Sequence, residues 1–356
     1  MKIAILCHYS HPSICGVWNS VFNLSKMLKD KHEIHVLSSN IIKGTNRLSK
    51  EYENLDGIHI HRFKVKYNFG AEAHYWPFKG LLNELKPDII HSHVYRHPHS
   101  TIVPFFNKPC ILTTHAPFLE RNLRTRKMRI LIRIYDQLLG KIILKKYNKV
   151  IAITKWELTI LKRFKLNNLV YIPNGVDDSF FSTKVKQGSY VLYFGRIDPI
   201  KNLETLIRAF NMLKDQRLIL VGPSEKAYLE KLKRLANSNI EFRPAVYDIN
   251  EKIKLYNNSR LFVLPSKREA MPQSLIEAMA LGKPVIASNN IGCKEIIDKK
   301  YIFETYNHKQ LSALIKKTLI EKPNPIKYRK LAEKYKLSNV VKQIEDVYHE
   351  SITNLS

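Results

Sequence analysis

The chain has 356 residues, of which 44% are hydrophobic and 25% are charged, and its formal net charge is +28 at pH 7. This composition excludes a disordered chain, and the length allows two domains that each bury a core. The four cysteines are scattered without a CxxC pair, which disfavours a zinc ribbon or a disulfide scaffold. The positive charge favours an anionic partner: a nucleotide, a nucleic acid or an acidic membrane surface.

The first half of the sequence alternates strand-like apolar runs with helix-like stretches. The run KIAIL (2–6) precedes an amphipathic stretch at 17–30, and further apolar runs follow at 33–38, 58–63, 88–93, 110–115 and 150–154. Such alternation predicts a parallel sheet with helices on both faces. KIAIL is too short for the apolar region of a signal peptide, and no run of 18 apolar residues occurs. We therefore expect a cytoplasmic protein without a transmembrane helix.

The same pattern restarts in the second half. Apolar runs at 190–195, 217–222, 239–242, 261–266 and 284–288 again alternate with helix-like stretches. We predict an α/β fold with two Rossmann-like domains, residues 1–183 and 184–337, facing each other across a cleft. The boundary is expected within 182–189, and a last helix at 338–356 is expected to pack back on the first domain. Ligands of such sheets bind beyond the carboxyl ends of the strands.

Four histidines crowd the stretch HSHVYRHPH at 91–99. His91 and His93 alternate on a predicted strand, so both imidazoles should face the same side and could suggest zinc. No cysteine or acidic residue lies nearby to complete a metal site, so we interpret them as cleft or packing residues. No role is assigned to His97 or His99.

Two cations lie in GRIDPIKN (195–202), directly after a predicted strand. Arg196 and Lys201 are five residues apart across a turn that contains Pro199. A turn there could aim both at one diphosphate, with Arg supplying a fork and Lys a point charge. A solvated basic turn explains the segment equally well.

The stretch 261–288 predicts a buried strand followed by a helix, SLIEAMAL, which ends at Gly282. The helix N-terminus should offer free N–H groups to a phosphate. Glu269 and Glu277 lie before and within the helix. If the segment is helical throughout, about 12 Å separates them, which is too far for a glycosidase pair. A carboxylate that binds a diol of ribose or sugar is the better interpretation, and a solvated helix residue is the alternative for Glu277.

Motifs in order along nearly the whole chain resemble the family 4 glycosyltransferases, retaining enzymes of the GT-B fold. The matching segments are GVWNSVFNLSKMLKDKHEIHVLS, DIIHSH, TTHAP, VYIPNGVDDSFF, YVLYFGRIDPIKNLETLIRAF, LILVGPSE, and EAMPQSLIE with AMALGKPVIAS and GCKEII. One such motif is weak, but the ordered set predicts the family. Four positions depart from the usual pattern: Cys15 before a single glycine, Asn202 and Ala270 in place of glycine, and Pro272, which has no N–H to donate.

The resemblance implies a role for each matching residue. Arg196 and Lys201 would hold the donor diphosphate, Glu277 the ribose hydroxyls and Glu269 the donor sugar, while His115 would lie near the acceptor hydroxyl. As a set, the resemblance implies catalytic residues Arg196, Lys201, Glu269 and His115; donor-binding residues Gly16, Gly195, Arg196, Lys201, Met271, Gln273, Ser274 and Glu277; and acceptor-side residues His93 and His115.

The implied reaction is the retaining transfer of a sugar from a nucleotide diphosphate sugar, UDP favoured over GDP, to a glycan or a lipid-linked acceptor. Neither a metal nor another cofactor is expected. A sugar-nucleotide epimerase of the same fold is one alternative. A nucleic-acid-binding protein is another, although no recognition motif for nucleic acid is present.

Residues 120–149 are strongly basic, with ten Lys and Arg against Glu120 and Asp136. Leu131, Ile134, Tyr135, Leu138 and Ile142 recur at helical spacing. Such a helix can lie on an anionic membrane, which predicts a peripheral contact with the inner face. A helix packed in the core with a charged outer face is the alternative.

Overall fold

The computed structural model describes residues 1–13, 15–70, 73–118 and 125–353. The chain forms two compact units, Met1–Gly175 with Leu337–Ser356, and Val176–Lys336. The division comes before the expected interval 182–189 because Val176 and Phe180 pack into the core of the second unit. Each unit is an α/β layer structure, which confirms the predicted pair of Rossmann-like folds.

The first unit contains an eight-stranded sheet and a short hairpin. The sheet order is β10-β9-β8-β7-β1-β2-β4-β3, and only the edge strand β3 runs antiparallel to its neighbour. The strands are β1 Lys2–Leu6, β2 Glu33–Ser39, β3 Tyr52–Leu55, β4 Ile58–Phe63, the hairpin β5 Tyr67–Asn68 and β6 His74–Tyr75, β7 Ile89–His93, β8 Cys110–Thr113, β9 Lys149–Ala152 and β10 Leu169–Tyr171.

Side chains of the central strand β1 alternate between two cores. Ile3 and Ile5 enter one buried cluster, and Ala4 and Leu6 enter the other. A parallel strand covered on both faces therefore appears as an unbroken apolar run. The helices are α1 Gly16–Leu28, α2 Lys79–Leu85, α3 Pro98–Ile102, α4 Arg126–Tyr135, α5 Lys141–Lys146 and α6 Lys155–Leu161, with a π-helical turn at Asp136–Gly140 between α4 and α5.

The second unit is a six-stranded parallel sheet in the order β13-β12-β11-β14-β15-β16. Its strands are β11 Tyr190–Phe194, β12 Leu218–Val221, β13 Ile240–Arg243, β14 Ser259–Leu264, β15 Val285–Ser288 and β16 Ile302–Phe303. Its helices are α7 Ser179–Ser182, α8 Leu203–Asn211, α9 Lys226–Leu235, α10 Ile249–Asn257, α11 Gln273–Ala280, α12 Ile291–Ile296, α13 His308–Ile320 and α14 Pro325–Ala332.

The last helix, α15, spans Leu337–Thr353 and belongs to the first unit. Its buried apolar face, which includes Val340 and Ile344, joins the core that also holds α1. The Tyr348 hydroxyl lies 2.6 Å from His91 Nδ1 on β7, so a buried hydrogen bond anchors the helix to the sheet. Within the described part of the chain, no helix is both long and apolar enough to cross a bilayer.

Candidate functional site

Eight of the predicted site residues lie in the second unit, after strands that are neighbours in its sheet. Gly195 follows β11, and the segment from Glu269 to Glu277 follows β14, which pairs directly with β11. The carboxyl ends of parallel neighbours meet at one edge, so two segments about 70 residues apart in sequence come together there.

Two glycines let the backbone approach itself closely at this edge. Gly195 has a φ of +154°, and Gly222, which follows β12, has a φ of +156°. A Cβ added to Gly222 would lie only 1.8 Å from the carbonyl oxygen of Gly195. The start of the turn 195–202 is therefore fixed by a contact that only glycine permits.

Lys201 and Glu269 form the tightest contact among the predicted residues. Lys201 Nζ lies 2.6 Å from Glu269 Oε1, and the two side chains are 17% and 13% exposed. The side chain of Asp198 caps the short 3₁₀ turn Pro199–Lys201 by accepting from the N–H groups of Ile200 and Lys201. The turn thus presents the lysine from a fixed backbone, as electrostatic binding of a diphosphate requires.

Arg196 does not share that contact. Its guanidinium pairs with Asp198 at 2.8 Å, and its side chain is 61% exposed. The structure therefore leaves the two predicted cations with separate carboxylate partners. An exposed pair of this kind is weak, so the guanidinium can exchange its partner for a ligand at little cost.

Asn202 explains one departure from the family pattern. Its φ is +54° and its ψ is +43°, a left-handed conformation in which glycine is common and asparagine is the best-tolerated alternative. Its side chain donates to the Pro265 carbonyl and accepts from the Thr205 hydroxyl. The substitution keeps the turn geometry.

Helix α11 begins after Pro272, as the sequence predicts. Leu275 and Ile276 donate to the Pro272 carbonyl, so the N–H groups of Gln273 and Ser274 stay outside the helix's own hydrogen bonds. Met271, just before them, packs half-buried on the core. Gly292 on α12 packs closely against this segment. A Cβ at Gly292 would lie 2.4 Å from the Glu269 carbonyl oxygen, so a larger residue would displace the segment.

Glu277 is not a solvated helix residue. It is 7% exposed, and it accepts from Lys252 Nζ at 2.6 Å and from the Tyr256 hydroxyl at 2.9 Å. Lys252 also lies over the rings of Phe194 and Phe180, at 5.1 and 5.6 Å from their centroids. The buried carboxylate of Glu277 therefore lies against a cation, Lys252, that is itself packed between aromatic rings.

The other three predicted residues lie in the first unit. Gly16 is the first residue of α1, and nothing lies within 4 Å of where its Cβ would be. His93, at the end of β7, shares a hydrogen bond of 2.8 Å with His115, whose φ is +56°. The histidine pair is set by sheet register, because His93 lies opposite Thr113 on β8.

The histidines are held neutral by burial. Desolvation lowers the pKa of His91 and of His115 to about 3, and it lowers the pKa of His93 well below its ordinary value. The rings of His91 and His93 are 4.2 Å apart, on one side of the strand as predicted. Among the described residues, no group of three or more potential ligands could hold a metal.

Burial of these imidazoles predicts acid lability. Desolvation lowers the pKa of His99 to about 4, whereas the unfolded chain binds a proton near pH 6.5. Below about pH 6.5 the unfolded state binds more protons, so each such histidine removes up to about 1.4 kcal/mol of unfolding free energy per pH unit. Urea unfolding from about pH 8 to about pH 5 should show this fall, and His99→Gln should make it shallower, since the other buried histidines still contribute. An equal slope in the variant, matched to wild type at pH 8, would contradict the assignment.

Three side chains that contact the predicted site residues or their loops were not predicted from the sequence. Lys252 and Tyr256 lie four residues apart on α10, and this spacing was a signal that both face one side. Glu157 is fully buried and accepts from Thr114, Ala116 and Ile153, which positions the loop that carries His115. A lone glutamate in a predicted helix gives no such signal.

Helix α4 and the π-helical turn after it leave most of their apolar side chains exposed, which differs from the core-packed alternative, although Tyr135 is half-buried against the core. No residue of α4 is buried, and Leu131, Ile134, Leu138 and Ile142 are exposed by 60%, 46%, 65% and 54%. Ile143 and Leu144 on α5 supply the packing to the core instead. Residues 120–124 of the basic stretch lie outside the described residues.

Two family models match consecutive parts of the chain. Glycosyltransferase Family 4 matches residues 14–180, and Glycosyl transferases group 1 matches residues 176–338. Together they span nearly the whole sequence.

Curated relatives are also glycosyltransferases. An uncharacterized one from Haemophilus influenzae is 27% identical over 57% of this chain and 60% of its own length. Another, from Methanocaldococcus jannaschii, is 26% identical over 85% and 84%. A Campylobacter jejuni N,N'-diacetylbacillosaminyl-diphospho-undecaprenol alpha-1,3-N-acetylgalactosaminyltransferase is 30% identical over 48% of this chain and 45% of its own length. The chain thus spans less than two thirds of two of these three relatives.

Solved structures share the fold at low identity. Sucrose-phosphate synthase from Thermosynechococcus elongatus has a TM-score of 0.74 at 19% identity, with 98% of each chain covered. Anabaena HepE in complex with UDP and glucose has a TM-score of 0.72 at 18% identity, covering 97% of this chain and 98% of that one. With both family models matched in order, this chain belongs to the family 4 type of glycosyltransferases and has the GT-B fold.

Proposed function

We propose that the protein is a retaining glycosyltransferase that moves a sugar from a nucleotide diphosphate sugar to a glycan or lipid-linked acceptor. The observation that carries this proposal is the cluster at the edge of the second sheet. There, Lys201, Glu269, the start of α11 and the buried Glu277 lie on neighbouring strand ends. Cations and free N–H groups suit a diphosphate, and a buried carboxylate suits a diol.

The proposed roles follow from these contacts. Arg196 and Lys201 bind the diphosphate and stabilise its charge as the glycosidic C–O bond to it breaks. Gly195, Met271, Gln273 and Ser274 complete the donor side of the second unit as backbone and neighbouring groups. Gly16 is the donor-binding residue proposed for the first unit. Glu277 accepts from the ribose hydroxyls, for which the ligand must displace Lys252 or Tyr256 from one carboxylate oxygen.

Transfer needs no separate base. The acceptor hydroxyl attacks from the face that the diphosphate leaves, a new C–O bond forms, and a leaving phosphate oxygen takes the hydroxyl proton. Glu269 lies beside the donor sugar, and His93 and His115 are on the acceptor side. A neutral His115 can accept a hydrogen bond from the hydroxyl without competing for its proton. No metal takes part in the proposed reaction.

UDP is the preferred nucleotide, and HepE, which shares the fold, was solved with UDP. The diphospho-undecaprenol in the name of the Campylobacter relative supports a lipid-linked acceptor. The basic helix 125–149 supports a peripheral contact with an anionic membrane on the cytoplasmic side.

A thermal-shift panel tests the donor. UDP, GDP and ADP, free and as sugar conjugates, are added with and without EDTA. A ligand at 100 times its dissociation constant stabilises the folded state by about 2.7 kcal/mol. A shift with one nucleoside diphosphate that survives EDTA supports the proposal, and no shift with any of them contradicts it. Product analysis with and without acceptor then separates a transferase from an epimerase.

A further inference from the structure

An open cavity of about 670 Å³ lies on the first unit beside α4, outside the residues assigned above. Its lining includes six basic side chains and, among the described residues, one acidic side chain, Asp136. We call it the arginine pocket; its basic residues are Arg96, Arg126, Arg129, Arg133, Lys141 and Arg163.

The acidic residue is already neutralised. Arg96 contacts both carboxylate oxygens of Asp136, at 2.9 and 2.5 Å, and the Tyr95 hydroxyl donates to the same group at 3.0 Å. No ion pair is found for the other five cations among the residues that the structure describes. Arg126, Arg129 and Arg133 follow each other at helical spacing and so form one stripe on α4. The pocket therefore offers several guanidinium groups without a carboxylate partner in the described part of the chain, and such groups suit a phosphate.

The pocket is also apolar. Phe118, Ile132, Ile160 and Phe164 contribute to its lining. Ile130 lines it as well and is 52% exposed, and Ile134, one helical turn further along α4, is 46% exposed. Apolar side chains left in water beside a basic stripe are typical of a helix that lies in a membrane interface. A free phosphate or a nucleic acid would leave the apolar side chains in water, whereas an amphiphile contacts both the apolar side chains and the basic stripe.

We propose that the arginine pocket binds the phosphate of an anionic membrane lipid while Ile130 and Ile134 enter the bilayer interface. The inference deepens the membrane contact of the proposed function and rests on it for the cytoplasmic setting. The pocket would then hold the enzyme at the surface where a lipid-linked acceptor is presented.

Vesicle flotation tests the pocket. Phosphatidylcholine vesicles with and without about 30 mol% phosphatidylglycerol are compared for wild type, for Arg129→Ser/Arg133→Ser, and for Lys127→Ser/Lys145→Ser. The lysine pair is the matched control, because both lysines are exposed on the same segment and neither lines the pocket. Diffuse attraction weakens equally for both pairs, since each loses two charges. The pocket predicts that the arginine pair loses at least about tenfold more binding than the lysine pair.

Two further arms identify the ligand's source. Ile130→Ser/Ile134→Ser should also weaken flotation, since the apolar insertion is lost. Inorganic pyrophosphate, at constant ionic strength, should fail to release wild type from vesicles. Release by pyrophosphate with Arg129-dependent binding in the absence of vesicles would overturn the lipid and indicate a soluble phosphate. Preference for a random oligonucleotide over vesicles would also overturn it.

Equal losses for the arginine and lysine pairs would overturn the pocket and leave only diffuse adsorption. The nucleotide thermal shift is read on the same variants. A retained shift without flotation means that only this inference fails, and flotation without any nucleotide shift means that the proposed transfer fails.

Discussion

Lys201→Met should lower the turnover number of sugar transfer by about 10²–10³-fold, the usual effect of removing one preorganised group that stabilises transition-state charge. Negative charge grows on the diphosphate as the glycosidic bond breaks, and a fixed ammonium acts most strongly then. Binding of the intact nucleotide sugar should weaken less than turnover, because its diphosphate does not yet carry the charge that develops as the bond breaks. Steady-state kinetics and a binding titration with the nucleotide sugar in the absence of acceptor measure the two effects.

The ion pair with Glu269 complicates this variant. Removing the lysine leaves a carboxylate that is 13% exposed without its partner at 2.6 Å, which costs stability. Lys201→Met/Glu269→Gln removes both charges and should recover most of the lost stability. Thermal melts of the single and double variants measure the structural effect. The rate of transfer is compared for Lys201→Met alone, at a temperature where it stays folded, because Glu269 also belongs to the proposed site.

Lys231→Met is the matched control. Lys231 pairs with Glu204 at 3.0 Å in the same unit, but its side chain is 66% exposed. Breaking this pair should change stability by less than about 1 kcal/mol and leave turnover unchanged. If Lys201→Met kept turnover within about threefold of wild type while losing stability, the lysine would be structural and its assignment to the diphosphate wrong.

Local pattern was enough to predict the fold because parallel strands buried on both faces are continuous apolar runs. The run at 2–6 coincides with β1 in full. The segment IHIHRF at 58–63 coincides with β4 in full, and its residues alternate between buried and half-buried positions. The domain boundary was less visible. Phe180 belongs to the short helix α7, and only its packing on the second core shows that the first unit has already ended. No local signal carries that information.

The candidate site was also predicted only in part from the sequence. Residue types and their place after strands identified Lys201 and Glu277. Their partners could not be found, because Glu269 and Lys252 reach them only through strand order and helix packing. Helical spacing in 120–149 was visible as well. Its burial was not, and the structure leaves the face with Leu131 and Leu138 in solvent.

Glu157→Ala should lower the unfolding free energy by about 3 kcal/mol or more, the second large effect that we expect. The carboxylate is fully buried, and Oε1 accepts from the Thr114 hydroxyl and the Ala116 N–H, both at 2.6 Å. Oε2 accepts from the Ile153 N–H at 3.0 Å. Alanine would leave the buried N–H groups of Ala116 and Ile153 without this acceptor, and each costs about 1–3 kcal/mol. The Thr114 hydroxyl keeps the Ile151 carbonyl as an acceptor at 3.0 Å.

The same change should reach the site through the backbone. His115 and Ala116 have φ values of +56° and +53°, an unfavourable conformation for residues other than glycine. The hydrogen bond from the Ala116 N–H to Glu157 stabilises that conformation of the loop. Without it, the loop should relax, and His115 should lose its hydrogen bond with His93. We therefore expect the KM of the acceptor to rise while the affinity for the free nucleotide stays unchanged.

Glu84→Ala is the control for the stability loss of Glu157→Ala, and Thr114→Val is the intermediate case. Glu84 is exposed on α2 of the same unit, so its removal should stay within about 0.5 kcal/mol of wild type. Thr114→Val removes one donor and leaves two, so urea unfolding should place it between Glu84→Ala and Glu157→Ala. Acceptor kinetics are compared at a temperature where all three variants stay folded. Unchanged acceptor KM in a folded Glu157→Ala would show that the carboxylate stabilises the unit without positioning His115.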